Sequence, residues 1–369
     1  MHFARSIRSH LSATRATRAT RAARATRAAV TAAATALAIT STVVPAAQAQ
    51  SLPGLVSGVD VAGHQRPGGA PIDWKMVAGP GGQQFAFVKA SEGAGWKNTF
   101  YEEDARTAAE AGMKVGAYHY ARPTEDPVAQ ARYFADVINA GPALQLPPVL
   151  DLEVDEGLSP TRLAAWTQLF LTELKARTGK TPMIYTYRYF WYEHMDNTSA
   201  FTSYPLWLAA YQNQPPRPVG GWDKLSFWQR SESGRVLGIN TPVDMNLFNG
   251  NAGQLNQFAA GNLKAGGGVL ETFQVPDSGE LKVLEQDNTK LVLAILALAA
   301  GALGANQLAH AADRAGFDDA DARNISGVVQ KLVQQGELPV DDLKHMVTGR
   351  YQVGDLLILL DNAAKQAQG

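Results

Sequence analysis

Apolar positions recur in two rhythms along this chain, and the rhythm changes near residue 250. From Gly58 to about Gly250, short β-rich apolar runs alternate with stretches of helical period. The runs are Gly58–Ala62, Phe85–Ala90, Lys114–Tyr120, Pro148–Val154, Pro182–Tyr187, Pro205–Tyr211, Lys224–Gln229 and Thr241–Asn246. Helical spacing covers Asn98–Ala111, Pro127–Ala140 and Pro160–Thr178, the last opened by Ser159-Pro160 and stopped by Gly179. Strand–helix alternation predicts an α/β fold with a mostly parallel sheet, and about eight strands predict a closed or nearly closed barrel. The later connections are short on helix, so the barrel is expected to be irregular and TIM-like.

A Gly- and Asn-rich stretch, residues 251–279 with Gly266-Gly267-Gly268 inside it, is expected as a linker between a barrel over 50–250 and a helical domain over 280–369. Past the linker there is no tryptophan and the period is helical throughout. Helices are expected at Glu280–Arg314, Asp319–Gln335, Val340–Thr348 and Gln352–Ala367, forming a small all-α C-terminal bundle. Leu291–Ala300 is uninterrupted apolar sequence that continues to Ala305 and approaches a membrane span in length. It is Ala-rich, broken by Gly301 and Gly304, and ends at Asn306-Gln307. A buried central helix is therefore expected ahead of a membrane-active segment.

Charge changes the picture at the start of the chain. Of 33 basic residues, seven arginines fall within residues 1–49, which hold no acid; the remainder carries 26 basic against 34 acidic side chains. A body with a net charge of −8 is a poor nucleic-acid binder, because phosphate neutralisation needs clustered cations. The arginines precede an apolar run, Val30–Val44, then Pro45 and Ala47-Gln48-Ala49. That order is a secretory signal peptide cut after Ala49, and it predicts a protein secreted to the extracellular space or cell wall. The chain has no cysteine, which excludes thiol nucleophiles, Cys-ligated zinc and iron–sulfur clusters.

Candidate chemistry gathers at the ends of the predicted strands: Asp60, Lys89 and Glu92, His119, Asp151 and Glu153, Trp207 and Tyr211, Gln229, Asp244. In a parallel barrel those ends converge on one mouth. Leu150-Asp151-Leu152-Glu153 alternates apolar and acidic residues, so both carboxylates face the same side of a strand. Two neighbouring acids with divergent pKa values supply one proton donor and one ionised stabiliser, the pair that glycoside hydrolysis requires. Clustered carboxylates also hold Mg²⁺ or Ca²⁺, and the Asp-x-Glu spacing alone does not choose between these roles.

The wider pattern resembles the family 25 glycoside hydrolases, the Chalaropsis-type and phage-type lysozymes. The matching segments are Gly58-Val-Asp-Val, Phe87-Val-Lys-Ala-Ser-Glu-Gly93, Gly112-Met-Lys-Val-Gly-Ala-Tyr-His-Tyr120 and Pro147-Pro-Val-Leu-Asp-Leu-Glu153. They continue with Tyr185-Thr, Pro205-Leu-Trp-Leu-Ala-Ala-Tyr211, Trp228-Gln229 and Val243-Asp-Met-Asn-Leu-Phe248, in the family's order over roughly residues 57–250. The resemblance implies an irregular (β/α) barrel, no metal or other cofactor, and cleavage of the β-1,4 bond after N-acetylmuramic acid in peptidoglycan. Glu153 matches the general acid/base and Asp151 its partner, which stabilises charge at the anomeric centre or orients the substrate's acetamido group. Asp60 matches the acid of the first strand and Asp244 that of the last. An enzyme carboxylate and the substrate's own N-acetyl group both remain open as nucleophile.

Sugar rings present apolar faces that aromatic side chains cover, so Tyr118, Tyr120, Tyr185, Trp207, Tyr211 and Trp228 are candidates to line the cleft with Gln229. For Tyr118, Tyr185 and Trp228, ordinary barrel core is an equal alternative. His119 is expected as a hydrogen-bonding residue, not a base, and Lys89 and Glu92 as a pair with each other or with substrate. Two other functions stay open: a glycan-binding protein without catalysis, and an effector acting on a membrane or partner through its helical C-terminal segment.

Overall fold

Every second side chain of a strand turns to the same side, and in this protein that rule fills a barrel. The structure is a computed structural model that describes residues 55–273, 279–347 and 351–367. The expected signal peptide lies outside the described residues. The strands are β1 (Val56–Val61), β2 (Phe85–Glu92), β3 (Trp96–Lys97), β4 (Lys114–Tyr120), β5 (Val149–Asp151), β6 (Met183–Tyr187), β7 (Leu206–Ala209), β8 (Phe227–Gly234) and β9 (Val243–Phe248). Eight of them close a ring in the order β1-β9-β8-β7-β6-β5-β4-β2, with β2 returning to β1. All neighbours are parallel except β9, which runs antiparallel to both β8 and β1. The eight expected strands are all present. The two-residue β3, antiparallel to the end of β2, has no apolar alternation to announce it.

The barrel floor is aromatic. Phe85, Phe87 and Phe227 meet edge to face at 5.0–5.9 Å, and Phe227 meets Phe248 at 5.1 Å. Such pairs are worth about 0.5–1.5 kcal/mol each beyond their buried area. The cross-strand register sets Gly58 beside Phe85 and Gly116 beside Phe87. A Cβ on either glycine would run into the neighbouring phenyl ring, so the missing side chains make the room that the rings occupy.

Around the ring lie α1 (Trp74–Ala78), α2 (Tyr101–Glu110), α3 (Pro127–Ala140), α4 (Pro160–Thr178), α5 (Arg188–Glu193) and α6 (Ala252–Ala259). Asp126 accepts from the Ala129 amide at 2.7 Å and Pro127 follows it, a cap and a first helical residue that both favour α3. Helix α6 sits inside the stretch expected as a linker. Asn251 and Gln254 cap it reciprocally, each side chain accepting from the other's amide at 2.9 Å. Its Leu255 and Phe258 are buried against the barrel, with Phe258 5.5–5.6 Å from Phe227 and Phe248.

After a 3-10 turn at Gly279–Glu285 come α7 (Thr289–Ala299), α8 (Ala305–Arg314), α9 (Asp319–Gln335), α10 (Val340–Met346) and α11 (Val353–Gln366). The single helix expected over Glu280–Arg314 is divided, because Gly301 and Gly304 interrupt it and Gly304 becomes the cap residue of α8. The apolar run is not the central helix either: Leu293 of α7 is 50% exposed. No described helix is long and apolar enough to cross a membrane. The central position belongs to α11, whose residues Val353–Ala363 are all buried. A helix enclosed on every side must meet something other than its own bundle, and the far side of α11 meets the barrel mouth.

Candidate active site

The inward-facing positions nearest the strand ends deliver Asp60 (β1), Asp244 (β9), Asp151 (β5) and, just past β5, Glu153. Register pairs Asp60 directly with Asp244 across the β1–β9 ladder. All but Asp244 are almost fully buried.

Asp60 is the hub of a hydrogen-bond network in the barrel wall. Its Oδ1 accepts from Asn246 Nδ2 at 2.7 Å and from Gln229 Nε2 at 3.0 Å. Each amide is oriented by a second partner: Trp207 Nε1 donates to Asn246 Oδ1 at 2.8 Å, and Tyr185 Oη donates to Gln229 Oε1 at 2.8 Å. Tyr211 Oη reaches the same Gln229 oxygen at 3.4 Å. Two amides aimed at one oxygen favour an ionised carboxylate. Burial raises the Asp60 pKa, while Asn246 and Gln229 pull it back down. Asp244 lacks such donors; burial, with Asp60's charge beside it, pushes it well above the ordinary carboxylate range.

The second pair is more strongly perturbed. Burial and the charge of Glu153 push Asp151 well above its usual value, and burial raises Glu153 as well. Two buried like charges resist ionising together, so the pair retains a proton where free carboxyls would have lost theirs. Asp151 Oδ1 and Tyr120 Oη are buried and have no protein partner.

The aromatic candidates separate by strand face. Tyr185 and Trp207 meet at 4.6 Å, and Tyr118 meets Trp207 edge-on at 6.5 Å, while Trp207 stacks on Phe87 at 4.5 Å. Trp228 points away from this group: it is wholly buried and donates Nε1 to the Ala210 carbonyl at 2.8 Å. His119 also faces outward, between Phe134 and Phe170, held by Ser91 at 2.9 Å and Gln130 at 3.0 Å. Burial lowers its pKa to about 4, so it is a neutral structural residue. Lys89 pairs with Glu92 at 2.7 Å and lies over the Tyr120 ring at 4.8 Å.

Two residues at the mouth were not singled out from sequence. Asn246, within the Val243–Phe248 segment, connects Trp207 to Asp60; its position two residues after Asp244 was the available signal. Glu232 is a buried acid on β8, beyond register shifts that follow Gln229, so simple alternation does not locate it. The site also contains Asn362, from α11. Its Nδ2 donates to Glu153 Oε2 at 2.7 Å, across 209 residues of sequence. Among the described residues no cluster of His, Cys, Asp and Glu has the arrangement of a metal site.

Known proteins share this fold. Residues 59–239 match the model for glycosyl hydrolases family 25. An N,O-diacetylmuramidase of Arthroderma benhamiae is 34% identical over 228 residues, 59% of this chain and 92% of the relative. Lysozyme M1 of Streptomyces globisporus is 35% identical over 212 residues, 54% of this chain and 70% of the relative. Among solved structures, the lysozyme of Streptomyces coelicolor aligns with a TM-score of 0.52 at 34% identity, over 56% of this chain and 98% of its own. A muramidase of Trichobolus zukalii aligns at 0.51 and 30%, over 56% of this chain and the whole of its own.

Proposed function

This chain belongs to the glycosyl hydrolases of family 25, and from that premise we propose that it is an exported muramidase acting through Glu153. The substrate is the β-1,4 bond between N-acetylmuramic acid and N-acetylglucosamine in peptidoglycan. The observation that carries this reading is the convergence of Asp60, Asp151, Glu153 and Asp244 on one barrel mouth lined by Tyr118, Tyr120, Tyr185, Trp207 and Tyr211.

Glu153, its pKa raised by burial, holds the proton that passes to the glycosidic oxygen as the C1–O bond breaks. Asp151, two residues earlier on the same side of the strand, lies next to the developing positive charge at C1 or holds the acetamido group that shields it. Glu153, now ionised, takes a proton from the water that completes hydrolysis. Asp60 is fixed by Asn246 and Gln229 and positions the sugar from the opposite wall, with Asp244 beside it. The stacked aromatic wall provides flat apolar surface for the rings. Export rests on the basic, apolar and Ala-x-Ala order of the first 49 residues.

The test is product release from purified peptidoglycan. A chain lacking residues 274–369 keeps the matched region 59–239, and solved relatives align over nearly their whole length with 56% of this chain, so it is expected to fold on its own. That chain should release reducing ends of N-acetylmuramic acid, and Glu153→Gln should lower the rate by about 10²–10⁴-fold. Undiminished release by Glu153→Gln would remove Glu153 from the chemistry. Export predicts a secreted form that begins at Gln50, which N-terminal sequencing of protein from the medium checks.

A further inference from the structure

We propose that the C-terminal helical segment is an intramolecular inhibitor, with α11 occupying the glycan cleft and holding the enzyme closed. The inference rests on the muramidase reading of the barrel, and it concerns what the remaining part of the chain does to that barrel.

Helix α11 lies on the residues that the reaction needs. Asn362 donates to Glu153 Oε2, the carboxyl assigned to protonate the leaving oxygen. One turn away, Lys365 pairs with Asp361 at 2.6 Å, and its charge acts on Asp60, Asp151, Glu153 and Asp244. Asp361 also lies against Glu232. At its other end α11 passes so close to the cleft residue Tyr211 that a Cβ on Gly354 would collide with the Tyr211 carbonyl oxygen. An amide, a carboxylate and an ammonium group therefore sit where a glycan would offer its own amide and hydroxyl groups.

With α11 docked, the carboxyl assigned to protonate the leaving oxygen is shut off from solvent. Glu153 is 6% exposed. The cavity beside it, bounded by Tyr187, His194, Asp342, Leu359 and Asn362, measures about 200 Å³. That cavity follows the seam with α10 and α11, and a glycan strand needs an open cleft that reaches Glu153 past Leu359 and Asn362. Helix α11 must leave before the cleft can fill.

The contacts that seat the helix surround the mouth. Arg188 of α5 forms an ion pair with Asp355 and donates to Gln352 Oε1 at 3.2 Å. Tyr351 Oη donates to Glu193. His194 bridges Asp155 of the barrel at 2.7 Å and Asp342 of α10 at 3.0 Å. Glu285 accepts from the amides of Asn213 and Gln214 at 3.1 and 3.2 Å. Because the inhibitor is tethered, its effective concentration stays high without tight intrinsic binding.

The full chain and the chain lacking residues 274–369 are compared on purified peptidoglycan. Binding of a soluble tetrasaccharide cut from that peptidoglycan is measured in parallel. The shortened chain is expected to cleave at least tenfold faster and bind at least tenfold tighter, a difference of about 1.4 kcal/mol. In the full chain, Gly354→Leu forces α11 away from Tyr211 and should recover most of that gain. Equal binding and equal, measurable cleavage in the two chains overturn the proposal and leave the muramidase reading intact. A shortened chain that binds but does not cleave, beside a full chain that does neither, supports occlusion and refutes the hydrolytic reading. A folded shortened chain that neither binds nor cleaves overturns both. Should the shortened chain fail to fold, Gly354→Leu decides alone: a tenfold gain supports the inhibitor and no gain overturns it.

Discussion

Two polar networks meet at the mouth of this barrel, built from similar side chains but in different ways. In the wall network, Trp207, Asn246, Asp60, Gln229 and Tyr185 are all buried, and both amides have a partner on each side. Every member stands on a strand of one closed sheet, so its position is set before any ligand arrives. The seam between barrel and helical segment combines the buried face of α11 and its Asn362–Glu153 bond with separate contacts in which at least one side chain is partly open to solvent. Arg188 is 23% exposed, His194 21% and Asp342 26%. Partly exposed ion pairs contribute little individually, and water can replace them. The wall lies within one sheet and persists, whereas the polar contacts of the seam join two parts of the chain and can be undone one by one.

The largest effect should come from breaking the wall. Asn246→Leu keeps the volume but leaves the Trp207 Nε1–H buried without an acceptor and removes one donor from Asp60. Leaving buried polar groups unpaired costs about 1–3 kcal/mol each. For a barrel of this size that corresponds to a Tm lower by roughly 5–15 °C. Calorimetry should find the same loss in the full chain and in the chain lacking residues 274–369. A loss confined to the full chain would mean that the wall depends on α11 and is not preorganised.

The contrast also governs how far the sequence was readable. The barrel's strands and three of its helices follow from periodicity, because one period matched one buried face. Asp60, Asp151, Glu153 and Asp244 stood out because acids at strand ends have no packing reason to be there. Trp228 and His119 needed coordinates to be placed outside the cleft, since neighbouring positions on a strand differ only in which face they take. The role of α11 could not be read at all. Its run Leu356-Leu357-Ile358-Leu359-Leu360 announces burial but not what buries it, and the Asn362–Glu153 contact joins residues with no pattern linking them. Sequence periodicity reports the faces of an element; it does not report the docking of one part of a chain on another.

A smaller and more selective effect is expected at the seam. Arg188→Ala leaves Asp355, only 3% exposed, without its cation. Removing one member of such a pair costs up to about 3 kcal/mol, and Arg188's own exposure reduces that. The penalty falls on the docked state alone. The full chain should therefore gain activity several-fold, while the shortened chain carrying the same substitution keeps its rate. An equal change in both chains would move Arg188 from the seam into the barrel's own structure.

The smallest effect distinguishes the seam by pH. His194 faces Asp155 from the barrel and Asp342 from α10, with Tyr189 also bonded to Asp342 at 3.0 Å. Burial opposes its charge, but the two carboxylates carry its pKa up to about 9 from an ordinary 6.5. A raised pKa means that protonated His194 binds more strongly in the docked state than free. Its contribution is complete below pH 6.5 and is lost as pH rises through 9. Only the Asp342 half of that bridge crosses the seam, so the share released on undocking is about 1 kcal/mol. The activity of the full chain, divided by that of the shortened chain at each pH, should climb a few-fold between pH 6.5 and 9, and His194→Asn should flatten the climb. A ratio that stays level in the parent protein would show that His194 braces the barrel end alone and has no part in holding α11.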